Sequence, residues 1–387
     1  MRLKVIPEDF LVEERIRFPT GSGPYALYRV RKRERTTLEV QAQLARMLRL
    51  PLSAVTFPAL KDRDAVAIQY ATVHGPGPKR LSGPGFTAER VGRTPRPLTP
   101  SDLVGNRFEV TMRDLAPQEA DRIGRRLVKV ATEGLPNYFD RQRFGSQTTS
   151  GEFPGRRILH RDAEGALRAY LAEPMVGDPP DVRAFKREAA IRWGQWRTLL
   201  EIAPRPSNLR SVLTFLCDHP ADFRRALNLV TPRVLSLYLT AYQSYLWNRI
   251  AAGYLQARLG PPYGSVEVAG DALPLFPALS DRLPPDMAIP LPHHRAVYSD
   301  PLLAAVVEDV LQAEGMALSD LKPRILRRAY LPQGERRPVL RPAELSASPP
   351  APDERFPGRQ KITLNFILPP GSYATLVVRS LLAAGEE

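Results

Sequence analysis

Alternating apolar and polar positions mark strands at both ends of the chain, and helical spacing fills its middle. Pro7 to Glu14 leads into a strand, and Gly21, Gly23 and Pro24 then mark a turn. Residues 25–33 read as a second strand whose end is cationic, with Arg29, Arg31, Lys32, Arg33 and Arg35. Such a run suits a solvated sheet edge, or in a basic chain a track for phosphates. Thr36 followed by Glu39 has capping-box spacing and predicts a helix start. Its apolar stripe is Val40, Leu44, Met47 and Leu48, and Pro51 lies beyond its end. Further strands are predicted over residues 67–73 and 105–112, the latter with Phe108, Val110 and Met112 on one face. Residues 118–133 predict a helix with Ile123, Leu127 and Val130 inward, stopped by Gly134.

After about residue 153 the pattern changes to helices with Pro-rich connections. The strongest helix opens at Thr231-Pro232 and carries Leu235, Leu239, Tyr242, Leu246 and Ile250 towards Gly260. The tail returns to a strand, with Ile362, Leu364 and Phe366 on one face. Pro369-Pro370-Gly371 breaks it, and Ser372 is placed to cap a last helix. Residues 342–357 read as a loop. Strand-rich ends around a helical middle predict an α+β fold in which residues 1–152 and 336–387 form one discontinuous domain and 153–335 an inserted one.

Lys and Arg number 55 against 41 Asp and Glu, a net charge of +14. This excess favours a polyanionic partner, nucleic acid before an anionic membrane surface. No apolar run approaches the roughly 18 residues of a membrane span. The first residues have no apolar signal-peptide core. The single cysteine, Cys217, excludes an internal disulfide and a cysteine-cluster metal site, and fits a reducing cytoplasm. The histidines are too scattered for a zinc motif, and the one pair, His293-His294, is expected at the surface.

The chemistry concentrates in residues 57–73, where Lys61, Asp62, Arg63 and Asp64 separate two apolar runs. Lys61 and Arg63 flank Asp62 and are expected to keep its carboxylate ionised. A carboxylate held beside cations suits nucleophilic work, or general-base work on an anionic substrate. A solvated turn with local ion pairs is the alternative. A second stretch, Pro136 to Gly145, interleaves aromatic residues with Arg141 and Arg143 and suits either stacking with phosphate contact or a packed loop.

The charged turn resembles the signature of the TruD family of tRNA pseudouridine synthases. Leu60-Lys61-Asp62-Arg63, Ala65-Val66 and Gln69 fit it, whereas Pro58, Ala59 and Ala67 stand where the family has Ala, Gly and Thr. Five more stretches resemble family motifs in the right order. They are Pro7-Glu8-Asp9-Phe10 with Lys4 before it, Gly105-Asn106-Arg107-Phe108, and Pro136 to Gly145; then Ala241 to Asn248, and Leu368 to Thr375. Residues 155–230 and 260–335 match poorly.

The resemblance implies a mixed, mostly antiparallel pseudouridine synthase sheet domain with helices, plus an inserted, mainly helical α/β domain. It implies isomerisation of one uridine in the D-arm region of tRNA, position 13, with no metal and no organic cofactor. By similarity Asp62 is the catalytic residue, attacking the sugar C1′ or taking a proton from C2′. The target base must leave its stack. Family similarity places Phe10, Phe108 and Tyr373 near the target nucleotide and Asn106 within hydrogen-bond reach. For Phe108, plain core packing beside Val110 and Met112 is the alternative. Lys4, Glu8, Lys61, Arg141 and Arg143 are candidates for RNA-phosphate contact or for supporting Asp62. The partner is tRNA, not a membrane, and nothing points to an oligomer, so a monomer is expected. A non-catalytic RNA-binding or RNA-folding protein on the same scaffold is the competing reading, motivated by Ala59 and Ala67. A methyltransferase lacks its Gly-rich cofactor loop.

Overall fold

The computed structural model describes residues 1–205, 207–276, 282–284 and 286–383. The chain divides into two compact units, Met1–Gly134 with Arg341–Leu382, and Leu135–Leu340. Residues 135–152 and 336–340 group with the second unit.

The first unit is built on a ten-stranded sheet. In chain order its first seven strands are β1 (Phe10–Ile16), β2 (Tyr25–Arg33), β3 (Val55–Thr56), β4 (Val66–His74), β5 (Arg80–Gly83), β6 (Phe86–Thr94) and β7 (Leu103–Leu115). The main path runs Ala343–Ala347, Gln360–Leu368, β7, β1, β4, β2, β6, β5. β3 pairs with β4, and Ala351–Pro352 with the strand Gln360–Leu368. Only β1 and β4 run parallel among the described pairs. The α+β class expected from the pattern is therefore observed, with one extension: the 342–357 segment read as a loop contains two short strands. Their alternation is too brief to show in sequence.

Two helices define the packing. α1 (Thr37–Leu48) starts as predicted, with the Thr36 hydroxyl accepting from the Glu39 N–H and the Glu39 carboxylate accepting from the Thr36 N–H. Val40 and Leu44 pack with Tyr28, Val30, Ala71 and Val73 of the sheet. Met47, expected in the same stripe, is instead exposed. α2 (Pro117–Glu133) buries Ile123 and Val130 and ends at Gly134, whose φ of 86° suits glycine.

β2 is not an edge strand. It lies between β4 and β6, and its cationic end follows the strand alternation. Tyr28, Val30 and Lys32 share one covered face, and Lys32 is only 1% exposed.

Arg113 ties the two chain segments of this unit together. Its guanidinium donates to Asp9 at 2.8 Å and to Asp353 at 3.0 Å, all three side chains being buried. Asp353 also accepts from the Asp114 N–H at 2.9 Å.

The second unit is mainly helical, as expected, around the helix Pro232–Leu259. Tyr242, Trp247 and Tyr254 of that helix are fully buried. The Glu314 carboxylate accepts from Tyr242, Arg249 and Arg156 at 2.7–3.0 Å. His293, expected at the surface, is buried, its Nδ1 accepting from the Arg295 N–H. Local composition did not show that the 289–296 segment is covered.

Removing Arg113 leaves two buried carboxylates unpaired. Arg113→Ala is expected to lower stability by about 3–5 kcal/mol at neutral pH, read from urea unfolding. Burial works to raise the Asp353 carboxyl, but its N–H donors and Arg113 outweigh this and lower it from 3.8. Its contribution is complete above 3.8 and is lost as pH falls through the lowered value. The gap between variant and wild type should therefore narrow below about pH 4.

Candidate active site

The loop between β3 and β4 carries Lys61 and Asp62, and it is irregular but tethered at Ala59, Lys61 and Asp62. The Gln69 side chain, on β4, donates to the Ala59 carbonyl at 2.9 Å. The Thr37 hydroxyl, at the first turn of α1, accepts from the Lys61 N–H at 2.9 Å and donates to Gln69 Oε1 at 2.8 Å. The Lys32 ammonium donates to the Asp62 carbonyl at 2.5 Å and to the Arg35 carbonyl at 2.7 Å. The helix start, the central strand and the buried lysine thus fix the backbone on both sides of Asp62.

The side chains of Lys61 and Asp62 diverge. Lys61 donates to Asn106 Oδ1 at 2.6 Å and lies 3.3 Å from Glu14 Oε1. Glu14 is fully buried and also accepts from the Gln69 side chain and the Tyr70 N–H. Strand register makes this possible, because Glu14 on β1 sits opposite Asn106 on β7, and Asn106 sits opposite Leu368 on the next strand. A buried carboxylate without a cation is strongly disfavoured, so Glu14 holds Lys61 inward.

Asp62 points outward, its side chain 52% exposed. The cation on it is Lys4, with Nζ 3.0 Å from Oδ2, not the expected Lys61. The same ammonium lies 4.5 Å from the centre of the Phe10 ring. Lys4 has a left-handed backbone, φ 55°, in a residue that rarely adopts it. Beneath it, Phe10 meets Phe108 edge-on at 6.0 Å, and Phe108 stacks on Phe366 at 5.4 Å. Phe10 and Phe108 are both buried, so Phe108 packs in the core as the alternative held.

Glu8, two residues before Phe10, accepts from Arg33 at 2.7 Å, and this bond holds its carboxyl below the ordinary range. Tyr373 is half-buried and follows the strand that ends opposite Asn106. Lys4, Glu8, Phe10, Lys61, Asp62, Asn106, Phe108 and Tyr373 thus all belong to the first unit.

Arg141 and Arg143 belong to the second unit. Arg143 donates to the Ser244 hydroxyl at 3.0 Å and lies 5.6 Å from the Phe139 ring centre. Arg141 is exposed. The surrounding Tyr138 and Phe139 are buried, so the aromatic residues of this stretch are core and not an open stacking surface. The Asn248 side chain clamps Phe139, accepting from its N–H and donating to its carbonyl.

Sequence reasoning missed Lys32, Thr37 and Glu14. Only Gln69 stood in a quoted motif. The one signal for Lys32 was its place in the Tyr28–Val30–Lys32 alternation.

The fold matches the crystal structure of a TruD protein from Methanosarcina mazei, with a TM-score of 0.73 at 22% identity over 98% of this chain and 93% of that one. The family described as tRNA pseudouridine synthase D (TruD) matches residues 1–273 and 278–381. A protein of Geobacter sulfurreducens named tRNA pseudouridine synthase D is 31% identical over 98% of this chain and 93% of its own length. One of the same name from Aquifex aeolicus is 27% identical over 99% of this chain and 98% of its own. The chain belongs to the TruD family of tRNA pseudouridine synthases.

Burial pushes the Lys32 ammonium down to about 8, against the attraction of Asp62. A lysine lowered on folding disfavours the folded state while both forms are charged. That penalty is complete below about 8 and is relieved as pH rises towards the unfolded value of 10.5. The stability of wild type relative to Lys32→Met should therefore rise between those pH values, by on the order of 3 kcal/mol. Parallel urea unfolding of the two proteins across this range gives the difference. A flat difference would contradict a buried, charged Lys32.

Proposed function

We propose that the chain isomerises a uridine in the D-arm region of tRNA, position 13, to pseudouridine, with Asp62 as the catalytic group. The observation that carries this reading is a half-exposed Asp62 carboxylate on a tethered loop, paired with Lys4 above an aromatic floor.

The chemistry follows from that placement. In one route an Asp62 oxygen bonds to C1′ as the C1′–N1 bond breaks, and uracil leaves with the electron pair. The base turns, C5 bonds to C1′, the carboxylate leaves, and C5 loses its proton while N1 gains one. In the other route Asp62 removes a C2′ proton to give a glycal as uracil departs. C5 then bonds to C1′, C2′ regains the proton held by Asp62, and C5 loses its own while N1 gains one. Both need one ionised carboxylate at the sugar, and neither changes the oxidation state or consumes a second substrate.

Phe10 offers its face to the extruded base, offsetting part of an unstacking cost. Since Lys4 lies over that ring, uracil entry moves Lys4 aside, towards the phosphate of the arriving nucleotide. Asn106, oriented by Lys61, supplies a hydrogen-bonding amide to the base. Tyr373 closes the same end of the sheet. In the second unit, the exposed Arg141 is a phosphate contact, and Arg143 supports it from the Ser244 side. We assign the catalytic domain to the first unit and tRNA grip to the second. The protein acts as a monomer in the cytoplasm. Among the described residues no helix is long and apolar enough to cross a membrane.

The departures behind the RNA-binding reading leave this machinery in place. Position 59 contributes its carbonyl to Gln69, which any residue supplies. Ala67 is completely buried within β4, opposite Lys32 in the strand register, and contributes no side-chain polar group to the site.

The test uses tRNA transcript tritiated at uridine C5. Wild type should release tritium, and Asp62→Asn should release it slower by on the order of 10⁴-fold or more. Equal release by both would remove Asp62 from the mechanism. No release by either, with tRNA binding intact, would favour the RNA-binding reading.

A further inference from the structure

In the second unit the irregular segment 321–331 divides sharply by environment. Leu321, Pro323, Ile325, Leu326, Ala329 and Leu331 are buried, whereas Lys322, Arg324, Arg327, Arg328 and Tyr330 are exposed. The buried set anchors a stretch that has no helix or strand of its own. Asn228 adds a clamp, donating to the Ile325 carbonyl and accepting from the Arg327 N–H, both at 2.8 Å. Arg224, from the short helix Phe223–Leu227, donates to the Arg324 carbonyl at 3.3 Å. The result is a fixed ridge with five cations: Arg224, Lys322, Arg324, Arg327 and Arg328.

None of these five forms an ion pair among the described residues. The neighbouring carboxylates are engaged elsewhere, Asp320 with Arg161 at 3.8 Å and Asp222 with Arg225 at 3.5 Å. Other arginines of the same unit do find carboxylates, such as Arg157 with Glu173 at 2.6 Å and Arg258 with Asp300 at 2.8 Å. Five unneutralised cations held close together repel one another, and a polyanion relieves that repulsion.

Tyr330 adds a second feature. It is 69% exposed, yet its hydroxyl donates to the Arg327 carbonyl at 2.9 Å, which orients the ring. An exposed aromatic ring beside a row of cations can stack a base or cover a ribose while the cations take the backbone.

We infer that this ridge is an RNA-binding surface, taking consecutive phosphates on its cations and a base or ribose on Tyr330. The inference rests on the tRNA reading above and supplies that reading with a grip remote in sequence from Asp62. Phosphate contacts of this kind position the RNA without reading its sequence.

The test compares the full chain with Arg324→Ala/Arg327→Ala/Arg328→Ala, the matching triple Lys variant, and Tyr330→Ala. Each is titrated with tRNA transcript over a range of salt and assayed for tritium release in single turnover. All the changes are at exposed positions, and thermal melts check that folding is intact. The triple Ala variant should bind at least about 10-fold more weakly, and its slope of log affinity on log salt should fall by about 2–3. The triple Lys variant should keep most of the slope, since the charge remains. Tyr330→Ala should bind about 5-fold more weakly or worse, with the salt slope unchanged. At saturating tRNA the single-turnover rate of every variant should equal that of wild type.

Tritium release by wild type, with unchanged affinity and slope in the triple Ala variant, would overturn the ridge and leave the tRNA reading standing. Absence of both binding and release in wild type would overturn the tRNA reading and the ridge with it. If the triple Ala variant keeps its tRNA affinity but loses binding to anionic phosphatidylserine vesicles that wild type shows, the ridge is a membrane contact and the inference is wrong.

Discussion

The first unit depends on one buried carboxylate. Glu14 sits in the middle of the sheet, where it accepts from Gln69 and the Tyr70 N–H and pairs with Lys61. Burying a carboxylate without a cation is far more costly than losing a surface pair, so Lys61 has little freedom to turn outward. Lys61 is turned inward to Glu14 and Asn106, and the next side chain, Asp62, is left outward. The ion pair that satisfies the core is therefore also what presents the carboxylate to solvent. Lys61 in turn orients Asn106, so one interaction sets the positions of two candidate site residues.

The local geometry of the fold was legible in the sequence. The capping box at Thr36 and Glu39, the strand faces at Phe108–Met112 and Ile362–Phe366, and the glycine stop of α2 all depend on neighbours a few residues apart. Asp62 was legible because a motif surrounds it. What could not be read was who faces whom across distant segments. Flanking Lys61 and Arg63 were the natural partners for Asp62 by proximity along the chain, yet the ion pair is with Lys4, 58 residues away. Lys32 looked like part of an edge because strand order is a non-local property. The same limit applied to Pro136–Gly145. Its residue types fit an RNA-stacking loop, but Tyr138 and Phe139 are buried and Trp247 of the long helix packs edge-on against Phe139.

The motifs of the second unit now have a physical reason of their own. Asn248 clamps Phe139, Ser244 receives Arg143, and Gln243 donates to the carbonyls of Pro292 and Pro332. Arg336 lies 4.2 Å from the Phe139 ring centre and donates to the Asn137 carbonyl. The Pro136–Gly145 stretch and the Ala241–Asn248 stretch are thus two halves of one lock. A motif that looks functional by composition can be kept by mutual satisfaction of buried polar groups alone.

Charge has separate duties in the two units. Around Asp62 four cations are engaged by the protein itself: Lys32 on backbone carbonyls, Lys61 on Glu14, Lys4 on Asp62 and Arg33 on Glu8. These pairings keep the carboxylate in place, and the exposed Arg31 and Arg63 leave positive charge beside it. The net +14 acts through cations of this kind, which the protein does not neutralise. The ridge at 322–330 meets that condition, which is why long-range attraction and bond chemistry need not compete for the same residues.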